Sequence, residues 1–345
     1  MIFIHTPFIL PPRFQGLAEQ YAPLIPARIT AQQRGLYRIH SSKGSENAQV
    51  SGKFLHETLT PSDFPTVGDY VMVDENGIIH HVLPRQSVFI RKASGNTHSE
   101  QAVAANIDTL FLCMSINNDF NLRRLERYLS AAWSSGAEPV VVLTKADLCD
   151  DPRLKMLEVE SIASGATILL TSSLADDGVA QLLPRLTPGR TVAFLGSSGV
   201  GKSTLINRLL GEELLQTGGL RNDDKGHHTT THREMFMLPS GAMVIDTPGM
   251  RELGMWDSSE GISSTFADIE ELFSSCRFRD CTHQSEPGCA VKASLQSGAL
   301  SQDRWQSYQR LMKENAYAED SEGYLASKKR LFIEISKFSK ANKKR

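Results

Sequence analysis

Two short segments carry groups suited to a nucleoside triphosphate. Gly196-Ser197-Ser198-Gly199-Val200-Gly201-Lys202-Ser203 fits the pattern G-x-x-x-x-G-K-S, with Thr204 next in the chain. Its glycines let backbone N–H groups curl around phosphate oxygens, and the helix N-terminus beyond adds partial positive charge. Lys202 is placed to reach the β- and γ-phosphates, and the Ser203 hydroxyl to ligand Mg²⁺. The apolar run Thr191–Leu195 enters the loop and helical spacing leaves it near Lys202, the context this motif requires. Asp246-Thr247-Pro248-Gly249 follows a second apolar run, Met243-Val244-Ile245. Asp246 is expected to hold Mg²⁺ through water, and the Gly249 amide to sense a γ-phosphate. Between the two lies Gly226-His227-His228-Thr229-Thr230-Thr231-His232-Arg233, which has neither helical nor strand periodicity. That is the texture of a switch loop ordered by Mg²⁺ and phosphate, with Thr230 (or else Thr231) as a metal ligand.

A third segment reads the base. Thr144-Lys145-Ala146-Asp147 closes the apolar run Pro139–Leu143. A carboxylate at Asp147 can accept from guanine N1–H and from the exocyclic amine. Adenine offers no matching donor pair, and a site built for those groups rejects the analogue lacking them. Lys145 is expected to lie over the base plane. Asn usually opens this motif, and Thr144 takes its place here. Thr171-Ser172-Ser173, after the run ending at Leu170, suits the loop that meets the guanine carbonyl through backbone. For hydrolysis, many GTPases place a Gln directly after D-x-x-G, whereas this chain has Met250. The water-orienting group must come from elsewhere, and His228 is the candidate, with His227 second. A site short of such groups turns over slowly until a partner completes it.

Cys276-x4-Cys281-x-His283-x5-Cys289 gathers four ligands within fourteen residues. Three thiolates and an imidazole make a closed tetrahedral set for one structural Zn²⁺. The five Cys of the chain fit a reducing compartment better than a disulfide framework. Cys113 reads as core and Cys149 as incidental. Arg277, Phe278, Arg279 and Lys292 beside the cluster allow an RNA contact.

These motifs need elements to hold them. Residues 34–92 contain about five short strand-like runs, Gly35–His40, Val50–Leu55, Asp69–Val73, Ile78–Leu83 and Val88–Arg91, separated by turns, which suits an OB-type barrel. From about residue 104, strands and helices alternate in the manner of a doubly wound α/β domain. Beyond residue 265 strands give way to the Cys/His cluster and a polar helical tail. The expected division is an N-terminal extension over 1–33, an OB-fold domain over 34–98, a GTPase domain over 99–264, and a zinc-binding domain with a basic helical tail over 265–345. The base-reading motif precedes the phosphate loop by about fifty residues, the reverse of an ordinary GTPase. The domain is therefore a circularly permuted P-loop α/β fold. With 345 residues, 40% hydrophobic, 22% charged and a net charge of −2, the chain reads as a soluble multidomain protein without a membrane span. The apolar N-terminus lacks a basic leader and reads as mature protein. The basic stretch 328–345 is suited to RNA phosphate, or is simply a solvated terminus.

The assembled motifs resemble one family, the RsgA (YjeQ/YloQ) GTPases of small ribosomal subunit biogenesis. The likeness spans roughly residues 34–310. It includes Gly68-Asp69-x-Val71, Leu83-Pro84-Arg85-x-Ser87, Ala104-Ala105-Asn106-Ile107-Asp108, Arg124-Leu125-Glu126-Arg127-Tyr128-Leu129, His228-Thr229-Thr230-Thr231 and the Cys/His spacing. The resemblance implies an OB domain, a circularly permuted GTPase domain and a mostly helical C-terminal zinc domain. It implies GTP and GDP with Mg²⁺ as ligands, and GTP hydrolysis stimulated by the small subunit. It also implies rRNA contacts and a role in late subunit maturation, and it supports His228 as catalytic; the expected state is a cytoplasmic monomer. An RNA-binding scaffold that scarcely turns GTP over is the competing reading, and Asp147 argues against a P-loop ATPase.

Overall fold

The computed structural model describes residues 8–33, 35–92, 100–117, 119–172, 178–211, 233–246 and 259–319. The chain divides into two compact units, Met1–Met255 and Trp256–Arg345.

The first unit opens with α1 (Pro12–Glu19), then β1 (Ile25–Gln33), β2 (Leu36–Ser41), β3 (Gly44–Val50), α2 (Gly52–Glu57), β4 (Tyr70–Val73) and β5 (Ile78–Val82). The strands pair in the order β1-β2-β3-β5-β4, and β4 returns to β1, closing a five-strand barrel of the OB type. Ile29, Ile39, Val71, Val73 and Ile79 fill its interior. The barrel thus begins at Ile25, within residues 1–33 that the sequence set aside as an extension. Pro26 and the run Thr30-Ala31-Gln32-Gln33 hide the strand by breaking its apolar alternation. Phe14 and Ala18 of α1 pack on Tyr70, Met72 and Leu83, so that helix also belongs to the module.

Two further expectations for the barrel are corrected. Val50–Leu55 is not a strand: β3 ends at Val50, and Ser51 accepts the Phe54 amide at 3.0 Å, an N-cap that turns the chain into α2. Val88–Arg91 lies in β6 (Val88–Lys92), which pairs with β7 (Glu100–Ala105) in a separate ribbon. The exit from the barrel is fixed by the Gly68-Asp69 pair. Gly68 lies at φ +95°, and a Cβ there would stand 2.0 Å from the Ala105 carbonyl oxygen. Asp69, fully buried, receives Arg85 Nε at 2.9 Å and Nη2 at 2.8 Å. Burial pushes the Asp69 carboxyl up, against the pull of the Arg85 hydrogen bonds. The same guanidinium donates to the Ser62 and Phe64 carbonyls.

The rest of this unit is β8 (Thr109–Ser115), α3 (Leu122–Ser135), β9 (Glu138–Thr144), α4 (Pro152–Glu160), β10 (Thr167–Leu170), β11 (Thr191–Leu195), α5 (Lys202–Leu210), β12 (Arg233–Met237) and β13 (Met243–Asp246). The sheet order is β10-β9-β8-β11-β13-β12, parallel except for β12. Alternate side chains serve its two faces. Leu110, Leu112, Val141 and Leu143 join the α3 side chains Leu125, Tyr128 and Leu129. Phe111, Cys113, Val140 and Val142 join Leu205 and Ile206 of α5. Cys113 is therefore core, as its apolar run suggests. The edge strand β12 pairs with β1 (Ala31 opposite Glu234, Gln32 opposite Arg233), so the barrel and the α/β sheet are hydrogen-bonded into one. The sequence does not anticipate β12, whose start overlaps the polar switch run.

The second unit contains α6 (Ser259–Thr265), α7 (Ala267–Ser274), α8 (Ala290–Ser297) and α9 (Gln302–Glu319). Ile262, Phe266, Ile269, Val291, Trp305, Tyr308 and Leu311 form its core. Ile262 places α6 in this unit, so the boundary falls nearer residue 256 than the expected 264/265. Arg304 ties α9 to α7 through a fork on Asp268, at 2.8 and 2.6 Å.

Candidate nucleotide site and metal centre

Parallel pairing brings the distant motifs to one sheet edge. β11 lies on one side of β8 and β9 on the other, all parallel, so the phosphate loop and the base-reading motif leave the same end of the two strands that flank β8. Ligands bind at that end in open α/β sheets. Gly196 is pressed against β8: a Cβ there would stand 2.4 Å from the Cys113 carbonyl oxygen. Lys202 Nζ donates to the Gly196 and Ser197 carbonyls, both at 2.6 Å. The loop thus fixes the ammonium at its own mouth, where a donor can meet a phosphate oxygen. Ser203 and Thr204, half-buried, occupy the first turn of α5. Ser198 and Gly199 are exposed at the loop tip.

Thr144 carries the contact that couples the two motifs. Its hydroxyl donates to the Val200 carbonyl at 2.7 Å, with both residues buried. A Thr in the place of the usual Asn therefore still ties the base motif to the phosphate loop. Lys145 takes a left-handed conformation, φ 58°. The Ala146 amide donates to the Thr171 carbonyl at 3.2 Å, and the Thr171 amide to the Leu143 carbonyl at 2.7 Å. Asp147 is exposed, and Ser172 Oγ donates to its Oδ1. Ser172 thus meets the motif through its hydroxyl, where the sequence anticipated only a backbone contact to the base.

Asp119 and Arg124 also belong to the site, and their part in it is not evident from the sequence. Ser197 Oγ donates to Asp119 Oδ2 at 2.6 Å, and Arg124 forks onto the same carboxylate at 3.0 and 2.9 Å. Burial acts to raise the Asp119 carboxyl, but the Arg124 and Ser197 hydrogen bonds outweigh it and hold it below the ordinary range. The available signal was positional: a polar turn directly after a buried strand, at the ligand-binding edge of the sheet. Asp246 ends β13, parallel to β11, so its backbone reaches the same edge. The Asp246 side chain, Ser173, His228, Thr230, Gly249 and the basic stretch 328–345 lie outside the described residues.

In the second unit Cys276, Cys281, His283 and Cys289 converge, their ligand atoms all within 4.8 Å of one another. His283 Nδ1 lies 3.6 Å from Cys276 Sγ and 3.5 Å from Cys289 Sγ. Tetrahedral zinc with ordinary Zn–S and Zn–N bonds requires an S···N separation of about 3.5 Å. The donor set therefore fits zinc, with Nδ1 as the ligating nitrogen. The imidazole stacks on Phe273 at 4.3 Å and meets Trp305 edge-on at 5.9 Å. Glu286 braces the ligand loop, accepting from the Thr282 hydroxyl and from the amides of Thr282, Gln284 and Ser285.

A family model described as RsgA GTPase matches residues 82–256. The small ribosomal subunit biogenesis GTPase RsgA 2 of Lactiplantibacillus plantarum is 50% identical over 295 residues, covering 84% of this chain and 83% of the relative. The chain belongs to the RsgA GTPase family. The RsgA of Opitutus terrae is 47% identical over 322 residues, covering 88% of each chain. Among solved structures, YjeQ from Thermotoga maritima is 26% identical with a TM-score of 0.60, covering 85% of this chain and 98% of that one. YloQ, a circularly permuted GTPase, is 28% identical with a TM-score of 0.60, covering 86% and 96%. As an RsgA GTPase the chain is an enzyme whose ligands are GTP, GDP and Mg²⁺, and its rotated motif order is that of a circularly permuted fold.

Proposed function

We propose that this GTPase hydrolyses GTP at the edge shared by β8, β9, β11 and β13, and that it acts in maturation of the small ribosomal subunit. The observation that carries the site is the Thr144 hydroxyl on the Val200 carbonyl, which makes one pocket wall of two motifs far apart in the chain. Gly196–Ser203 cradle the phosphates, with Lys202 at the β- and γ-oxygens and Thr204 in the helix turn behind them. Ser203, Thr230 and Asp246 hold Mg²⁺, and Gly249 reads the γ-phosphate. Asp147 reads guanine, oriented by Ser172, with Lys145 over the base and Ser173 completing the loop. His228 orients the attacking water.

The relatives' names carry the biological role, since each is called a small ribosomal subunit biogenesis GTPase. The partners are then the small subunit and its rRNA, met by the barrel (residues 25–82), the zinc domain (from about 256) and the basic tail. Cys276, Cys281, His283 and Cys289 hold one structural Zn²⁺. A thiolate site of this kind needs reduced cysteines, which fits the cytoplasm, where the protein acts as a monomer. The base assignment is tested by Asp147→Asn, which should move preference from GTP toward xanthosine triphosphate. Equal affinity of the unmodified protein for ATP and GTP would overturn it.

A further inference from the structure

The loop between β8 and α3 is built around one carboxylate. Asn117 Oδ1 accepts the Asp119 amide at 3.1 Å and the Ser115 hydroxyl at 2.9 Å, a turn that points the chain back over the sheet edge. Asn121 caps α3 by accepting the Arg124 amide at 3.0 Å. Between these anchors, Asp119 takes the Arg124 fork on both oxygens, and Arg124 Nη2 also reaches the Asp119 carbonyl at 3.1 Å. The carboxylate is thus fixed in place from its own element. Its Oδ2 then receives the Ser197 hydroxyl at 2.6 Å, across 78 residues of chain. The Ser197 carbonyl, like that of Gly196, also holds the Lys202 ammonium.

We propose that Asp119 is a positioning residue of the nucleotide site: it fixes the Ser197 peptide and thereby sets where Lys202 meets the phosphates. Charge-assisted hydrogen bonds are the strong ones, and a short O–H···O⁻ contact to a carboxylate held by Arg is well suited to hold a loop still. Freed of it, the Ser197 peptide can rotate, and Lys202 loses a carbonyl acceptor. The Lys145 charge adds a small pull that lowers the Asp119 carboxyl further. The positioning role is not visible in a motif, because the contact joins a loop with no signature to the second position of one that has a signature.

The inference rests on reading Gly196–Ser203 as the phosphate loop, and the test separates the two. Dissociation constants for fluorescent GDP and a non-hydrolysable GTP analogue are measured on the full chain, with thermal unfolding of every variant. Asp119→Ala and Ser197→Ala should each weaken both nucleotides by roughly ten- to a hundredfold, the worth of one hydrogen bond to a charged group. The double variant should lose no more than about twofold beyond either, because both changes break one contact. Asp119→Asn, which keeps an acceptor for Ser197, should retain most of the affinity while unfolding at a lower temperature. A wild-type affinity for Asp119→Ala, or losses that multiply in the double variant, would overturn the proposal. Should Asp119→Ala fail to fold, Ser197→Ala decides alone, and unchanged affinity there is equally fatal. Lys202→Ala serves as reference: if it binds nucleotide normally, the phosphate-loop assignment itself fails. If it does not bind while Asp119→Ala does, only the positioning role fails.

Discussion

Replacing Thr144 by Val removes one hydroxyl while keeping the side-chain shape, and the consequence can be worked from the structure. Thr144 is 3% exposed and Val200 is 1% exposed, so water cannot readily replace the lost donor. The Val200 carbonyl is left without the bond it receives at 2.7 Å. Orphaning a buried acceptor costs about 1–3 kcal/mol, and Thr-to-Val is not a neutral exchange for this reason. For a unit of this size, a loss near 2 kcal/mol lowers Tm by roughly 4–8 °C. The same bond holds the phosphate loop against the base motif, so GDP affinity should fall as well, by about fivefold or more if 1 kcal/mol of the loss appears in binding. Thr144→Ser keeps the donor and should bind GDP within about twofold of the parent. Differential scanning fluorimetry and titration with fluorescent GDP read both quantities. A Thr144→Val protein with unchanged Tm and unchanged GDP affinity would refute the coupling of the two motifs through this hydroxyl.

Other residues give equally direct expectations. Arg85→Ala leaves the fully buried Asp69 carboxylate without its fork, and breaking a buried pair of this kind should cost about 3–5 kcal/mol in denaturant unfolding. Cys281→Ser should abolish binding of about one zinc per chain and destabilise the second unit, read by metal analysis and limited proteolysis. Glu286→Ala should speed zinc loss to a chelator, because four donors in the ligand loop lose their acceptor. The donors to Glu286, led by the Thr282 hydroxyl, hold its carboxyl down at about 2, against 4.5 for the free group. Its folded value being depressed, the bracing is complete above about pH 4.5 and is lost as the pH falls through about 2, so the variant's defect should be full at neutral pH.

The sequence made the placement of the motifs legible where a motif keeps its residues together. Gly196–Ser203, Thr144–Asp147 and the Cys/His cluster each fall where their spacing implies, and α5 starts at Lys202 as expected. What was hidden depends on long-range pairing. β1 carries a proline and glutamines, yet it bonds to β2, β4 and β12, and no local pattern reports such a shared strand. The Ser51 cap turns the strand-like run Val50–Leu55 into α2, a case of one side-chain hydrogen bond overriding a local pattern. Asp119 shows the same limit within the site: its role appears only when β8 and β11 are neighbours. The Gly68-Asp69 and Arg85 motifs could be quoted from the sequence as family features, and the buried ion pair gives them a physical reason.

GTP turnover by the full chain, measured with and without purified small ribosomal subunits, tests the proposed function most directly. The slow basal rate expected of a site with Met250 in place of a glutamine should rise by about tenfold or more when subunits are added, as they complete the catalytic arrangement. A rate that subunits leave unchanged, in a protein that still binds GTP, would contradict it.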